Sequence, residues 1–450
     1  MNLSQRLTKD PALNGAAAAR DSGALNGQQY YLEMKARLHR TLIDRMDLTK
    51  LNLLTPQQTQ AEVARLAKEL LATEDTPLSN VERERLAEEV RHELFGLGPL
   101  EPLLSDPTIS DILVNSPYKI YIERGGKLER VGISFNDNDH VMRVIERIVS
   151  TVGRRIDESS PMVDARLPDG SRVNAVIPPV SLDGPALSIR RFGTEPLRMN
   201  KLIGIGALTP AMAEMLSLCV RARMNILISG GTGAGKTTML NALSAFIPED
   251  ERIITIEDSA ELLLQQPHVL RMETRPRNIE GRGEISQRDL VKNALRMRPD
   301  RIVVGEVRGE EAIDMLQAMN TGHDGSLTTI HANTPRDALT RISTMIQMAG
   351  MRLSAGAINQ QIASAVNLVI QVARMSDGTR RITSICELNG IKRKELALQE
   401  IIRYERLGVD ADGRVVGRFR VATNQPKLIE RFEVCGLKLP SSLFEEALEQ

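Results

Sequence analysis

The chain has 450 residues, more than one average domain holds and enough for two or three. Lys plus Arg and Asp plus Glu each number 58, so no global field draws the protein to nucleic acid or to an acidic membrane, and direct nucleic-acid binding is not expected. Three scattered cysteines (Cys219, Cys386, Cys435) lack metal-ligand spacing and fit buried thiols in a reducing, cytoplasmic compartment.

Residues 1–28 are rich in Ala, Gly, Asn and Ser, have no period and no continuous apolar core, and are expected to be a disordered tail rather than a signal peptide. From 29 to 98 the text turns helical: "YYLEMKARLHRTLIDRM", "QAEVARLAKELL" and "NVERERLAEEVRHELF" set apolar residues three and four apart among charges. Residues 99–195 read as a mixed α+β domain. There "DILVN" and "KIYIER" are short strands, "GG" at 125 and 126 is a hairpin turn, "DHVMRVIERIVSTVG" is an amphipathic helix, and "RVNAVIPPV" and "ALSIRRF" are further strands. A linker over 196–208 follows. From 209 to 450 the apolar runs "MNILISGG", "RIITIED", "DRIVVGEV", "SLTTIHAN" and "NLVIQVAR" alternate with helical stretches, which predicts an α/β domain built on a mostly parallel sheet. No run reaches the ~18 apolar residues of a membrane span, so any membrane role is expected to come through partners.

The stretch Gly230–Thr237 fits G-x-x-x-x-G-K-[ST] at every fixed position and lies between a predicted strand and a predicted helix. Its glycines let backbone N–H groups turn toward an anion, and the helix N-terminus adds a positive dipole end. Gly230, Gly231, Thr232, Gly233, Ala234, Gly235, Lys236, Thr237 and Thr238 are therefore the expected phosphate cradle for ATP. Lys236 would reach the β and γ phosphates, and Thr237 would offer a hydroxyl to Mg²⁺.

The next apolar run ends in "TIEDSAEL", and acids at the carboxyl end of a sheet strand stand where open α/β folds keep ligands. Glu257 and Asp258, with Glu261 behind them, can hold Mg²⁺ or polarise an attacking water; a solvated strand end that caps the next helix is the plainer alternative. "RIVVGEVRGEEA" is a second apolar strand ending in an acid. Gly305 stands where an aspartate would bind metal, which leaves Glu306 as the water-orienting group and moves metal duty to Thr237 and Glu257. In "TGHDGSLTTIHAN", His323 and His331 both fall near strand termini and are expected at one edge of the sheet, as γ-phosphate sensors or as structural histidines. Between the two acidic strands runs an arginine-dense stretch. It reads either as an exposed basic loop or as the source of Arg271, Arg275 or Arg277 for a neighbouring subunit's transition state.

In this order, "GGTGAGKTT", "TIEDSAEL", "VVGEVRGEEA" and "TGHDGSLTTIHAN" resemble the Walker A, Asp box, Walker B and His box of the secretion-ATPase superfamily of type II and type IV secretion and type IV pili. "LRMRPDRIVVGEVRGEEA" and "GLGPLEPLLSDPTISDILVN" are similar to the branch that serves tight-adherence (Flp) pili, and the likeness covers roughly residues 90–390. The resemblance implies a RecA-like P-loop domain and a homohexameric motor. It implies ATP held between a smaller N-terminal domain and the catalytic domain, with Arg154, Arg155, Arg190 and Arg191 approaching the nucleotide. It further implies an inner-membrane pilus platform protein and other pilus or secretion components as partners, at the cytoplasmic face of the inner membrane. No tetracysteine zinc site is present, so no metal beyond Mg²⁺ is expected. A conjugation or effector-export ATPase and a nucleotide-gated scaffold are the alternatives.

Overall fold

The computed structural model describes residues 56–73, 79–191, 197–277, 282–351, 353–422 and 425–438, with scattered positions between 34 and 42. The tail expected over 1–28 lies outside them. The chain divides into two compact units, one of residues 1–124 and 128–191, the other of residues 125–127 and 192–450.

In the first unit, helices Pro56–Thr73 and Asn80–Phe95 carry out the helical pattern of the sequence. Ser79 caps the second: its hydroxyl accepts from Glu82 N–H at 3.3 Å while the Glu82 carboxylate accepts from Ser79 N–H at 2.8 Å, satisfying two otherwise orphaned donors. Val63, Ala67 and Leu71 of one helix and Leu86 and Val90 of the other are buried. A six-stranded sheet follows, in the order β3-β2-β1-β6-β5-β4, from β1 (Ile109–Ser116), β2 (Lys119–Arg124), β3 (Lys127–Arg130), β4 (Met162–Arg166), β5 (Arg172–Val176) and β6 (Ala186–Arg190). Alternation puts Ile112, Val114, Ile120, Ile122, Val173 and Ile189 on one face, where Val141, Ile145 and Ile148 of helix Asn138–Thr151 cover them. The sequence reading missed β4, whose "MVDAR" has one buried residue and little apolar signal of its own.

The same unit contains a buried ion cluster. His140, 4% exposed, meets the Glu93 carboxylate through Nε2 at 2.7 Å, and the Lys35 ammonium meets the other carboxylate oxygen at 2.9 Å. Burial alone would raise Glu93, but the His140 hydrogen bond and the Lys35 charge outweigh it and bring the carboxyl to about 2, from an ordinary value of 4.5.

The second unit holds a nine-stranded sheet among the described residues, in the order β15-β14-β13-β12-β7-β11-β10-β8-β9. Its strands are β7 (Ile226–Gly230), β8 (Ile253–Glu257), β9 (Val269–Glu273), β10 (Arg301–Val307), β11 (Leu327–His331), β12 (Leu368–Arg374), β13 (Arg380–Lys392), β14 (Glu395–Val409) and β15 (Val415–Val421). β12, β7, β11, β10, β8 and β9 run parallel, which gives the mostly parallel α/β architecture expected from the alternation of strands and helices. β7 and β8 are buried along their whole length, as strands covered by helices on both faces must be. The arginine-dense stretch is not all loop: Val269–Glu273 adds β9 to the edge of the sheet, and beyond it β13 to β15 extend the other edge antiparallel. Cys219 and Cys386 are buried as expected, whereas Cys435 is exposed. Among the described residues no helix is long and apolar enough to cross a membrane.

The opposite, amino-terminal edge of the parallel strands is locked by Arg301. It is fully buried, pairs with both Glu251 oxygens at 2.5 and 3.1 Å, and donates to the Val220 and Gly325 carbonyls at 2.9 and 3.2 Å. Beside it the Asn225 side-chain oxygen accepts the Gly325 and Ser326 N–H groups at 2.8 and 2.9 Å. A guanidinium this dry is tolerated because its charge and most of its donors are matched.

The Glu93 carboxyl titrates lower in the folded protein than in the unfolded chain. Its stabilisation is therefore complete above the unfolded value and is lost as pH falls toward about 2. Glu93→Gln is expected to cost about 2 kcal/mol at neutral pH and to flatten the acid limb of a denaturation-midpoint-versus-pH curve; an unchanged acid limb would refute the cluster's role.

Candidate functional site

The parallel register brings the carboxyl ends of β7, β8, β10 and β11 to one edge. Gly230 pairs with His331, and Ile256, just before Glu257, pairs with Val304, just before Gly305. The phosphate-loop sequence leaves β7 at Gly230 and enters helix Lys236–Ser244, with Gly233 (φ 67°) and Gly235 (φ 98°) in left-handed conformations that L side chains rarely adopt. Gly230 is required for a different reason. A Cβ there would lie 2.6 Å from the Val372 carbonyl oxygen of β12.

Lys236, 9% exposed, turns back over this loop and donates to the Gly231 carbonyl at 3.1 Å. Its ammonium also lies 3.2 Å from His331 Nδ1. Burial pushes the lysine below its ordinary value, with the Glu306 charge pulling the other way. His331 Nε2 meets the Thr232 hydroxyl at 2.9 Å, and His331 Nδ1 lies 3.3 Å from Glu306 Oε1. His331 therefore bridges the loop that follows β7 and the acid that ends β10.

Glu306 is aimed by a bulge. From Val304 to Val307 β10 advances three residues while β11 advances two, from Thr328 to Ile330, so one residue is extra and the direction in which Glu306 projects is changed. Thr329 secures the bulge by donating to the Gly305 carbonyl at 2.7 Å. Burial would raise Glu306, but the Arg308 hydrogen bond at 2.6 Å and the charges of Arg308 and Lys236 hold it below the ordinary carboxylate value. Arg308 also reaches Asp258 at 3.4 Å, tying the ends of β8 and β10. Arg308 stands in the motif "GEVRG" but drew no role from sequence; its spacing of two from Glu306 was the available signal.

Gly305 has a steric cause. A Cβ at 305 would sit 3.0 Å from Glu257 Cγ, so the glycine gives the neighbouring strand's carboxylate its space. Glu257, 3% exposed, accepts from the Glu261 and Leu262 N–H groups at 2.6 and 2.8 Å through Oε2, while Oε1 is buried with no hydrogen-bond partner. Burial raises this carboxyl above its ordinary value, opposed by those backbone donors. A buried carboxylate oxygen without a donor fits a cation, and a lysine-bearing glycine loop at a helix N-terminus fits phosphates. The side chains present thus suit ATP with Mg²⁺, with Thr237 partly buried in the first turn of the helix.

Other expected residues lie elsewhere. His323 precedes β11 by four residues, at the amino edge, whereas His331 ends β11 at the carboxyl edge; the expectation that both share one edge is corrected by the five-residue strand between them. His323 Nδ1 is buried with no partner. Arg271 is exposed on edge strand β9, and Arg275 closes its own loop, donating through Nε to the Gly283 carbonyl at 2.7 Å beside a backbone bridge to Ile285. Arg277 pairs with Glu284 at 2.6 Å. In the first unit Arg190 pairs with Asp111 at 3.1 Å and Arg155 with Asp157 at 2.5 Å. Arg154 donates to the Asp164 carbonyl, and Arg191 to the Asp106 carbonyl.

A family model described as "Type II/IV secretion system protein" matches residues 93–421. A putative conjugal transfer protein of Mycobacterium tuberculosis is 42% identical over 302 residues, 66% of this chain and 85% of the relative. The type IV secretion system protein VirB11 of Bartonella henselae is 32% identical over 331 residues, 65% of this chain and 92% of the relative. Among solved structures, the VirB11 ATPase of the Brucella suis type IV secretion system matches with 29% identity and a TM-score of 0.35, over 65% of this chain and 96% of that one.

Gly230→Ala is expected to lower thermal stability by about 1–3 kcal/mol, the range for overpacking, because the Val372 carbonyl belongs to a central strand and cannot swing away. An unchanged melting temperature would mean that the loop and β12 are not in the contact described.

Proposed function

Because the chain belongs to the type II/IV secretion system protein family, the secretion-ATPase superfamily that its motifs resemble, we propose that it is a Mg²⁺-dependent ATP hydrolase working as a ring motor. The observation that carries the reading is the convergence of Lys236, His331 and Glu306 at one edge of the sheet, beside Glu257 with its unpartnered oxygen.

In this reading the N–H groups of the 230–238 loop and the helix N-terminus bind the phosphates, and Lys236 releases His331 and Gly231 to take the β and γ oxygens. Mg²⁺ would neutralise phosphate charge, with Thr237 and Glu257 as its protein contacts. Glu306, kept ionised by Arg308, accepts a hydrogen bond from the attacking water and orients it. His331 sits between Lys236 and Glu306, so it reports phosphate occupancy to the acid. Arg271 or Arg275 would serve a neighbour's site in a homohexamer, arginine's fixed fork suiting the equatorial oxygens of the transferred group. Residues 209–450 are the ATPase domain of this motor, and ATP is its nucleotide.

The work is assembly of a tight-adherence type IV pilus, through an inner-membrane platform protein at the cytoplasmic face. The support is the likeness of "GLGPLEPLLSDPTISDILVN" to that branch. Export by a conjugal or type IV secretion system is the second reading, favoured by relatives named conjugal transfer protein and VirB11. Deletion of the gene in its host separates the two: loss of surface pili supports the first, and loss of DNA or effector transfer with pili intact supports the second.

Glu306→Gln is expected to bind ATP and lose turnover by about 10²–10⁴-fold, the range for a lost general base, whereas Lys236→Ala weakens binding or blocks turnover; a Glu306→Gln variant with wild-type kcat would overturn the assignment. Native mass measurement with an ATP analogue is expected to give six subunits. Mixing Lys236→Ala with Arg275→Ala or Arg271→Ala subunits should restore part of the activity if the arginine acts in trans, and a verified mixture that stays inactive means that it acts in its own subunit or only shapes the loop.

A further inference from the structure

The start of β13 touches two places that matter to a motor. Its first residue, Arg380, donates through Nε to the Gly233 carbonyl at the crest of the phosphate loop, 2.8 Å away. The stem of Arg380 also lies against the same loop, its Cδ 3.5 Å from where a Cβ on Gly235 would stand. The next residue, Arg381, projects to the other side of the strand, as consecutive strand residues must. It donates through Nη1 to the Gly206 carbonyl at 3.0 Å and stacks its guanidinium over the Tyr404 ring of β14, 5.3 Å from the centroid. The third residue, Ile382, donates its N–H to the Ala207 carbonyl at 3.0 Å.

Gly206 and Ala207 lie within the second unit, in the connection between helix Met199–Gly204 and helix Pro210–Arg221. Gly206 has φ 71°, a conformation that holds its carbonyl toward Arg381. The anchor of these contacts is stiff. β13 pairs with β12 through Arg374↔Arg380, Ala373↔Arg381 and Val372↔Ile382, and the same Val372 pairs with Gly230, where the phosphate loop begins. The turn joining β12 to β13 is braced by Asp377, whose carboxylate accepts from Thr379 N–H at 2.9 Å and from Val415 N–H of β15 at 2.8 Å. A displacement of the loop crest therefore reaches the 205–207 segment through two adjacent residues of one braced strand.

We propose that Arg380 and Arg381 are positioning residues that couple the phosphate loop to the interhelical segment at 205–207, so that nucleotide occupancy changes the state of that segment. The proposal rests on the reading of 230–238 as a nucleotide loop. It gives the antiparallel extension β13–β15 a task, which is to hold the coupling strand rigid between loop and segment.

The test uses the full chain with Cys435→Ser, the exposed thiol removed, and Ile205→Cys, a half-exposed position, carrying an environment-sensitive fluorophore. Adding ATPγS with Mg²⁺ is expected to shift the emission of the parent. In Arg381→Gln and in Arg380→Gln that response should fall at least about fivefold, while ATPγS still binds with an affinity weakened by no more than about the same factor, since coupling is reciprocal. Arg381→Lys keeps the charge without the planar fork and is expected to respond between the two; it also serves if loss of the Tyr404 stacking leaves the glutamine variant unfolded by thermal melt. A full response at 205 in the folded variants overturns the proposal, and so does a parent that binds ATPγS with no response. A parent that binds no ATPγS removes the nucleotide-loop reading, and the coupling falls with it.

Discussion

The candidate site depends on the parallel register of β12, β7, β11, β10 and β8. Because these strands run the same way, each ends at the same edge, and residues from positions 230, 257, 306 and 331 become neighbours. Parallel packing also forbids side chains where strand ends crowd. Gly230 has no room because of the Val372 carbonyl, and at Gly305 a Cβ would press on the Glu257 side chain, which would have to shift. The glycine in the second acidic strand is thus one half of an arrangement whose other half is the carboxylate on the next strand.

The electrostatics of this edge follow from its burial. Lys236, Glu257 and Glu306 are all drawn from water, and each departs from its ordinary value in a direction its neighbours explain. Glu306 has two partners, Arg308 and His331, and stays charged. Glu257 has only backbone donors on one oxygen and is shifted the other way, the state of a carboxylate that a cation would complete. Two acids one strand apart thereby acquire different characters, which a division between water orientation and metal contact requires.

Each of the two units holds a buried ionic cluster of its own. Arg301 with Glu251 fixes the amino edge of the parallel strands, and Glu93 with His140 and Lys35 joins the helical region to the α+β sheet of the first unit. Each replaces apolar packing with a geometry that admits few alternatives, and breaking either leaves a charge stranded in a dry environment.

The sequence by itself determined the glycine loop, the acids ending two apolar runs, the strand–helix alternation and the family these resemble. Each is a local pattern, since phosphate turns, buried strands and amphipathic helices impose their spacing on contiguous residues. What crosses between distant segments was decided by the tertiary structure alone. β9 looked like basic loop because its pairing partner lies on β8, and β13 to β15 were signalled only by their turns, Asp377-Gly378 and Asp412-Gly413, while their pairing was not legible. His323 and His331 looked equivalent in sequence, yet one strand length puts them at opposite edges. The contacts of Arg308 with Asp258, of Arg380 with Gly233 and of Arg381 with Gly206 depend on which strands the sheet sets side by side, a choice made by the packing of the whole domain and written in no single stretch of it.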